Sequence, residues 1–360
     1  MEYEAILDAQ LDSLDLAELE SLLDGPEEYA DLFGDITIRD TINKLIEGTP
    51  IFDSDKLIDI IKELFILEIK TSIILGCEII SICIIIGLLS NLSVSFGNKA
   101  VSSLGTIICS CLIIAISIGS FYQTYESCSE TMDIMTKTME VLLPIMIPLL
   151  ISMGGLSSGS IMDPVIIGAV TGFNFTMQHI ILPLIFLSAI FILINSITEK
   201  DYIKKLAVFM RKGALFLTGL TITVFSGLTT IQGIVTKSAD GLLMKTARFS
   251  IDNFVPIMGS FAADSLDIMI SCIGVIKSAV GIIGIVIIIT ILTIPVIKIF
   301  AIAVIYKITA IIAEPIATKN ISDSLNEIGT SAITMTVVLG AGAFMFLIFI
   351  TVIMGMGGTR

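Results

Sequence analysis

Long apolar stretches alternate with short polar ones over residues 61–360 of the chain. Apolar segments fall near residues 71–92, 101–121, 141–153, 161–195, 214–235, 268–292, 294–313 and 329–356. A transmembrane helix needs roughly 20 consecutive apolar residues, a length that several of these segments reach. Inside a bilayer the backbone must satisfy its own hydrogen bonds, so such segments predict α-helices. The pattern therefore predicts an all-α, polytopic helical membrane protein with about seven to nine membrane segments in residues 61–360.

Proline and glycine interrupt two of these segments. LLPIMIPLLISMGG, at 142–155, is short, and Pro144 and Pro148 lie within it. Short segments of this kind are typical of broken or re-entrant helices that protein or a water-filled cavity surrounds. Pro183 lies within the long segment 161–195. We expect it either to divide that segment or to kink one long, tilted helix.

A third interruption is NFVPIMGSFAADSLD, at 253–267. It contains Pro256 and Gly259, followed by the two carboxylates Asp264 and Asp267. We predict a short helix that begins at the proline, is broken at the glycine, and lies at the external membrane face. Residues three apart share one face of a helix, and we expect both carboxylates to face protein or water.

Two short motifs recur at one offset. LPIM at 143–146 recurs as VPIM at 255–258, and LPLI at 182–185 recurs around Pro295 as IPVI at 294–297. The offset is 112 residues in both cases. This favours a parallel internal repeat, of the kind known in transporters, over about 99–195 and 211–307.

The composition agrees with a membrane protein. The chain is 55% hydrophobic and 15% charged, whereas soluble domains are about 45–50% apolar and about 25% charged. The net charge of −14 comes from residues 1–60, which hold 17 acidic and 3 basic side chains. Leucines recur there at helical spacing. We predict an acidic helical domain over residues 1–60, with a docking surface for a basic partner as the alternative. Since the membrane body is neutral overall, no nucleic-acid partner is expected.

The basic residues predict an orientation. Cytoplasmic loops are rich in lysine and arginine, so residues 199–212 and the turn 93–100 should face the cytoplasm. The stretch 122–140 carries several acids, namely Glu126, Glu130, Asp133 and Glu140. We therefore expect it to be an external connection. The N-terminal domain should then be extracytoplasmic, and because no leader is visible at Met1, we expect that a signal peptide has been removed.

Ionisable residues inside apolar segments are the best pointers to function, because a charge in hydrocarbon costs several kcal/mol unless it is paired or hydrated. Glu78 lies within the first segment, and Lys277 and Lys298 lie within residues 268–313. Glu314 precedes Pro315. These residues mark either an ion or substrate pathway, or a structural ion pair and lysines that reach an interface.

Signatures of enzymes are weak. GLSSG at 155–159 matches the nucleophile elbow G-x-S-x-G, but it lies between membrane segments and the single histidine, His179, has no evident acid beside it. The same residues match G-x-x-x-G, which allows close helix packing. The chain has no P-loop and no H-E-x-x-H, and its six cysteines form no C-x-x-C pair. We predict no catalytic residues, no cofactor and no metal site.

One block of sequence resembles a known family. In KSADGLLMKTARFSIDNFVPIMGSFAADSLD the marks are an Asp-Gly pair, two basic residues and a Pro-x-x-Gly: Asp240 with Gly241, Lys245 with Arg248, and Pro256 with Gly259. Further matches are Lys277, Gly281, Pro295, Glu314 and Pro315. From about residue 140 onward the chain is similar to the stage III sporulation protein AE family of endospore-forming bacteria.

The resemblance implies an integral protein of the mother-cell membrane around the forespore, in a family whose members usually begin with a cleavable leader. There it would be a non-enzymatic subunit of a channel-like complex, with a secretion-type ATPase and ring-forming proteins as partners. The lipid bilayer and further copies of the chain are the other expected partners. The rival interpretation, from the broken segments, the repeat and the buried charges, is a secondary transporter or permease that acts on its own.

Overall fold

The computed structural model of the chain describes residue 44 and residues 54–96, 99–153, 168–197, 203–254 and 259–356, with side chains at 44, 58–89, 104–153, 168–197, 203–234 and 270–356. The helices are α1 Ser54–Phe96, α2 Lys99–Ser152, α3 Gly168–Asn195, α4 Lys204–Phe254, α5 Gly259–Ala313 and α6 Lys319–Gly355. Each contains a stretch long and apolar enough to cross a membrane. The prediction of an all-α polytopic membrane protein is confirmed.

Two helices each join two predicted segments. The α2 helix, 54 residues long, contains the segments at 101–121 and 141–153, and α5 contains those at 268–292 and 294–313. At 1.5 Å per residue, α2 is roughly 80 Å long, more than twice the thickness of a hydrocarbon core. An uninterrupted helix crosses a bilayer only once. The described residues therefore contain six helices that are long and apolar enough to cross a membrane, where the hydropathy pattern predicted seven to nine segments.

The prediction of an external connection at 122–140 is wrong, since these residues form the middle of α2. The physical reason is the spacing of their side chains. The acids recur every three or four residues and lie on one exposed face, whereas Cys128, Met132 and Met135 are fully buried on the other. This is the pattern of an amphipathic helix and not of a loop.

The separate broken segment expected around Pro144 and Pro148 is also absent, because α2 continues through both prolines. Both prolines are exposed, so their rings and the carbonyls that they leave without a donor lie on the outside of the bundle. Each proline removes one backbone hydrogen bond, and the long flanking turns keep the helix continuous.

The helices alternate in direction, which places three connections at one end of the bundle. Gly87, near the end of α1, faces the backbone of Ile316 in the turn between α5 and α6. Lys204, at the start of α4, pairs with Asp323 near the start of α6. The C-terminal end of α1 and the N-terminal end of α4 therefore lie at the same end of the bundle, as the predicted orientation requires.

The hairpin of α5 and α6 forms the centre of the bundle. Half of the most apolar window of each of these helices is buried, compared with 22% for α4. Close packing is achieved through glycines: a Cβ atom at Gly329 would lie 3.1 Å from the carbonyl oxygen of Ala303 and 2.9 Å from Cγ of Lys307. A Cβ atom at Gly284 would lie 2.5 Å from a methyl group of Leu142 in α2. Small residues at such contacts let helices approach closely inside a membrane.

The outer surface of α4 shows how the bundle meets lipid. Phe209, Phe216, Val224 and Ile231 are each between 62% and 72% exposed, and they recur at seven or eight residues on one face. Exposed apolar side chains that follow one face of an apolar helix over this length form the surface that a bilayer covers.

Several predictions fall outside the described residues. The acidic domain over residues 1–60 is one, although α1 begins at Ser54 and so runs through the proposed boundary. Another is the internal repeat, because VPIM at 255–258 is not described while LPIM lies inside α2. Pro256 also lies outside, but Gly259, Asp264 and Asp267 lie in the first turns of α5, which is 55 residues long. The short helix predicted for 253–267 is therefore wrong from Gly259 onward. The acidic domain and the internal repeat stay predictions.

The close approach at Gly329 predicts that Gly329→Ala destabilises the protein. The added methyl group would force α6 away from the backbone of α5, at a cost of about 1–2 kcal/mol. The matched control is Gly340→Ala in the same helix, where a Cβ atom meets nothing within 4 Å and helix propensity favours alanine by up to about 1 kcal/mol. Thermal unfolding of the purified protein in detergent measures both. Equal melting temperatures for the two variants would contradict the packing described here.

Candidate functional site

A row of ionisable side chains runs along the outside of α2. We call this row the acidic face and define it as Glu126, Glu130, Asp133, Lys137 and Glu140. All five are exposed, and their spacing of three or four residues puts them on one side of the helix. Four are acids and one is a base, so the face is strongly negative.

The acidic face lies at a level where α2, α3 and α6 pack closely. Met132, on the buried side of the same stretch of α2, packs against Gly342 of α6. Nearby, Phe173 of α3 packs against Phe346, with ring centroids 6.1 Å apart. The acidic face is therefore not at an end of the molecule but beside its middle.

At this level α3, α4 and α6 present large apolar side chains to the outside. Val224 of α4 is 62% exposed, and Phe344 of α6 and Phe175 of α3 are each 56% exposed. An apolar perimeter is suited to lipid, whereas several charges on one helix face would cost several kcal/mol each in hydrocarbon. The acidic face consequently requires water or another protein against it.

Two prolines extend this polar surface beyond the carboxylates. Pro144 and Pro148 have no N–H group, so the carbonyl oxygens of Glu140 and Pro144 cannot accept the usual helical hydrogen bond. Glu140, Pro144 and Pro148 also line a cavity of about 470 Å³ between α2 and α3. Its other wall includes Val170 and Thr171. This end of the acidic face thus offers only hydrogen-bond acceptors from α2.

Hydrogen bonds join the neighbouring helix α3 to the acidic face. Gln178 donates from Nε2 to Asp133 Oδ1 at 2.7 Å and to the carbonyl of Ser129 at 3.2 Å. His179 stacks on Phe175, with ring centroids 4.7 Å apart and planes inclined by 14°. The single histidine of the chain is therefore packed on an aromatic ring and exposed, without a carboxylate described beside it.

A second polar group joins α4 to α6. Arg211 donates from Nη2 to Glu327 Oε2 at 2.6 Å, and from Nη1 to the Glu327 carbonyl at 3.1 Å and to Ser331 Oγ at 3.2 Å. The two charged side chains are only 10% and 24% exposed. Lys204 and Asp323 form a looser, more exposed pair at 3.4 Å. Well hydrogen-bonded pairs of this kind hold helices in register.

Sequence reasoning did not find this ion pair. The basic residues of 199–212 predict a cytoplasmic connection for Arg211, and no local motif points to Glu327. The signal was present, since Asp323, Glu327 and Ser331 recur every four residues on one face of α6. Its partner lies 116 residues away, and that distance hides it from any local pattern.

The predicted charged residues do not converge on one site. Lys277 is 2% exposed and donates to the backbone carbonyl of Met356, at the end of α6. Glu314 is exposed in the turn at the opposite end of the hairpin, and Glu78 and Lys298 are exposed on α1 and α5. Lys307 of α5 donates to Asn326 Oδ1 and Thr330 Oγ of α6.

The remaining predicted residues are placed only in part. Pro183 lies just after a π-helical turn in α3, and Pro295 is buried inside α5. The others lie in helices whose side chains are not described there: Asp240, Gly241, Lys245 and Arg248 in α4, and Gly259, Asp264 and Asp267 in α5. Roles for these side chains stay predictions.

Comparison with known proteins identifies relatives. The family model for stage III sporulation protein AE matches residues 36–357. Stage III sporulation protein AE of Bacillus subtilis (strain 168) is 30% identical over 275 residues, which cover 76% of this chain and 68% of the relative. No solved structure matches the chain. The matched range includes both the acidic face and the ion pair of α4 and α6.

The ion pair predicts an asymmetry between single and double substitutions. Arg211→Met leaves the Glu327 carboxylate without its partner and should destabilise the protein by about 2–4 kcal/mol. The double variant Arg211→Met with Glu327→Met removes both charges and should recover much of that loss. Unfolding of the purified protein in detergent checks this.

The matched control is Lys204→Met, which removes the looser pair and should cost less than about 1 kcal/mol. Strictly additive losses in the double variant would show that Arg211 and Glu327 do not act as a pair.

Proposed function

Because the chain belongs to the stage III sporulation protein AE family, we propose that it is an integral membrane subunit of the complex that connects the mother cell with the forespore. In this role the protein acts without catalysis, as a structural and conducting part of a channel-like assembly. Its place is the mother-cell membrane around the forespore. A role in sporulation and a multi-pass membrane location follow from the family and the six apolar helices.

The observation that carries the proposal is the acidic face of α2. A protein that works alone in lipid has no reason to keep four exposed carboxylates beside the middle of its bundle. A subunit has such a reason, because a neighbouring protein or an aqueous lumen covers the face once the complex is assembled. The freed carbonyls of Glu140 and Pro144 point to the same need for donors from outside the bundle.

The partners follow from the family resemblance and from charge. A secretion-type ATPase and ring-forming proteins are the subunits that the family is expected to work with. A negative face accepts a segment that carries lysine or arginine, and further copies of the chain are the alternative covering.

A secondary transporter is the second candidate function. The cavity of about 470 Å³ between α2 and α3 favours it, since a cavity bordered by a carboxylate and two prolines is a plausible cation or substrate site. A transporter moves its solute in liposomes without partners, whereas a subunit does not. The two functions therefore separate in one assay on the purified protein.

The subunit function predicts that neutralising the acidic face weakens assembly. The test variant carries Glu126→Gln, Glu130→Gln, Asp133→Asn and Glu140→Gln. Loss of four charges at a protein contact should reduce co-purification of the other complex subunits from sporulating cells roughly tenfold or more. The measurement is quantitative mass spectrometry after purification of the tagged chain.

The control neutralises three carboxylates near the start of α1 instead, namely Asp59, Glu63 and Glu68. It should leave co-purification within about twofold of the parent, because exposed charges away from a contact contribute little. Gradient-driven solute uptake by the purified protein alone, lost on Glu78→Gln or Glu140→Gln, would overturn the subunit function in favour of the transporter.

The proposed orientation is tested by labelling. With the exposed Cys77 and Cys111 replaced by serine, a cysteine at Ala30 should react with an impermeant thiol reagent only from outside the cell. A cysteine at Lys205 should react only after the membrane is opened. Reaction of both from the same side would refute an extracytoplasmic N-terminus.

A further inference from the structure

Helix α3 changes its geometry halfway along. Residues Met177–Ile181 form a π-helical turn, closed by a hydrogen bond from the Leu182 N–H to the Met177 carbonyl. Two residues later comes Pro183, whose ring would clash with the carbonyl of His179 in a regular α-helix. The wider turn relieves that clash by including one extra residue.

A proline does not by itself demand such a turn in this protein. Pro144 and Pro148 in α2 and Pro295 in α5 lie inside uninterrupted α-helices. The π turn is therefore a property of its own place in α3. Single π turns inside α-helices are found frequently at functional sites.

The C-terminal half of α3 is fixed to its neighbours. Ser188 Oγ donates to the Ala207 carbonyl at 2.7 Å, and the Ile203 N–H donates to Asn195 Oδ1 at 3.2 Å. Ser324 Oγ donates to the Ile192 carbonyl at 3.4 Å. At the π turn itself, Gln178 holds Asp133 of the acidic face. These contacts fix the part of α3 that follows the π turn to α4 and α6, while Gln178 ties the π turn itself to α2.

The N-terminal half, residues 168–176, has space on both sides. Towards α2 lies the cavity of about 470 Å³. Towards α4 lies an apolar cavity of about 320 Å³, lined by Gly168, Gly172 and Val224 among others. Added Cβ atoms at both glycines would meet nothing within 4 Å. Phe173 and Val170, 2% and 3% exposed, are its contacts with the core, and Phe173 packs against Phe225 and Phe346.

We propose that residues 168–176 swivel about the π turn between two registers. In the second register the extra residue is absorbed and α3 is α-helical throughout. With the C-terminal half fixed, this rotates the N-terminal half by roughly 100° and moves it by about 1.5 Å along its axis. Each residue then takes the place of its N-terminal neighbour.

The second register improves the packing of Phe173 but buries the amide of Asn174 against aromatic rings. Phe173 takes the place of Gly172 and fills the apolar cavity beside α4. Asn174 takes the place of Phe173 against Phe225 and Phe346, where an amide is poorly satisfied. In the present register only the Oδ1 atom of this side chain is buried without a hydrogen bond from a described residue, so moving the whole amide against the rings adds a cost. The clash of Pro183 adds to the cost, so the π register is the more populated one.

The swivel changes the wall of the cavity beside the acidic face, because Val170 and Thr171 line it. It also separates His179, on the π turn, from Phe175, on the moving half. Residues 168–176 are thus a two-state element beside the acidic face. It does not depend on the proposed function, and purified protein is sufficient to test it.

The test measures distances between spin labels on cysteines, with the exposed Cys77 and Cys111 replaced by serine. One pair, Gly172→Cys with Phe216→Cys, joins the moving half of α3 to α4. The swivel moves a Cβ atom by roughly 5 Å and carries residue 172 away from α4. We expect a main distance and a minor, longer one. The pair Ile194→Cys with Phe216→Cys joins the fixed half to the same point and should give one distance.

Two substitutions should raise the minor population by lowering different costs. Pro183→Ala removes the ring clash, and Asn174→Leu removes the buried amide. Each should increase the longer distance severalfold, while Pro295→Ala, a proline in a regular helix, should not. A single distance for residues 172 and 216 that neither Pro183→Ala nor Asn174→Leu alters would overturn the swivel, as would an equal change caused by Pro295→Ala.

Discussion

The bundle depends on the close approach of α5 and α6, which glycines make possible. Lipid tails are as apolar as leucine side chains, so burial in a membrane gives little drive for helices to associate, and packing and hydrogen bonds must supply it. Gly329 lets α6 lie directly on the backbone of α5, and Gly284 admits Leu142 of α2. The hairpin is in turn the surface on which α1, α2, α3 and α4 pack. The other helices take their positions from these contacts.

The weak driving force for helix association in a membrane also explains where the polar groups lie. Arg211, Glu327 and Ser331 form hydrogen bonds between α4 and α6, and Lys307 links α5 to α6 through Asn326 and Thr330. These groups satisfy one another inside the bundle. The carboxylates of the acidic face are different, because they are exposed on the outside of α2, beside apolar side chains of α3, α4 and α6. Polar groups that the bundle does not use itself are the ones that indicate an assembly.

Hydropathy and length were sufficient to predict the fold class, and two basic stretches correctly predicted which connections share one end. Hydropathy misread residues 122–140, since averaging over a window treats an amphipathic helix and a polar loop alike. Asking whether Glu126, Glu130, Asp133 and Glu140 share one helix face would have separated them. The contact of Arg211 with Glu327 is set by tertiary packing alone. Prolines marked a real irregularity at Pro183 but not at Pro144, Pro148 or Pro295, so a proline alone does not decide whether a long helix is interrupted.

The π turn and the acidic face are adjacent for a physical reason. Gln178 can reach Asp133 only while its side chain projects towards α2, and the wider turn sets that projection just before Pro183. A partner on the acidic face would compete for Asp133, or add donors to it, and so act on the point about which α3 turns. Such a partner shifts the register of α3 only by as much as its affinity differs between the two registers. Binding to α2 and the state of α3 are therefore linked through one carboxylate, and by reciprocity the register of α3 would affect the affinity of the partner to the same extent.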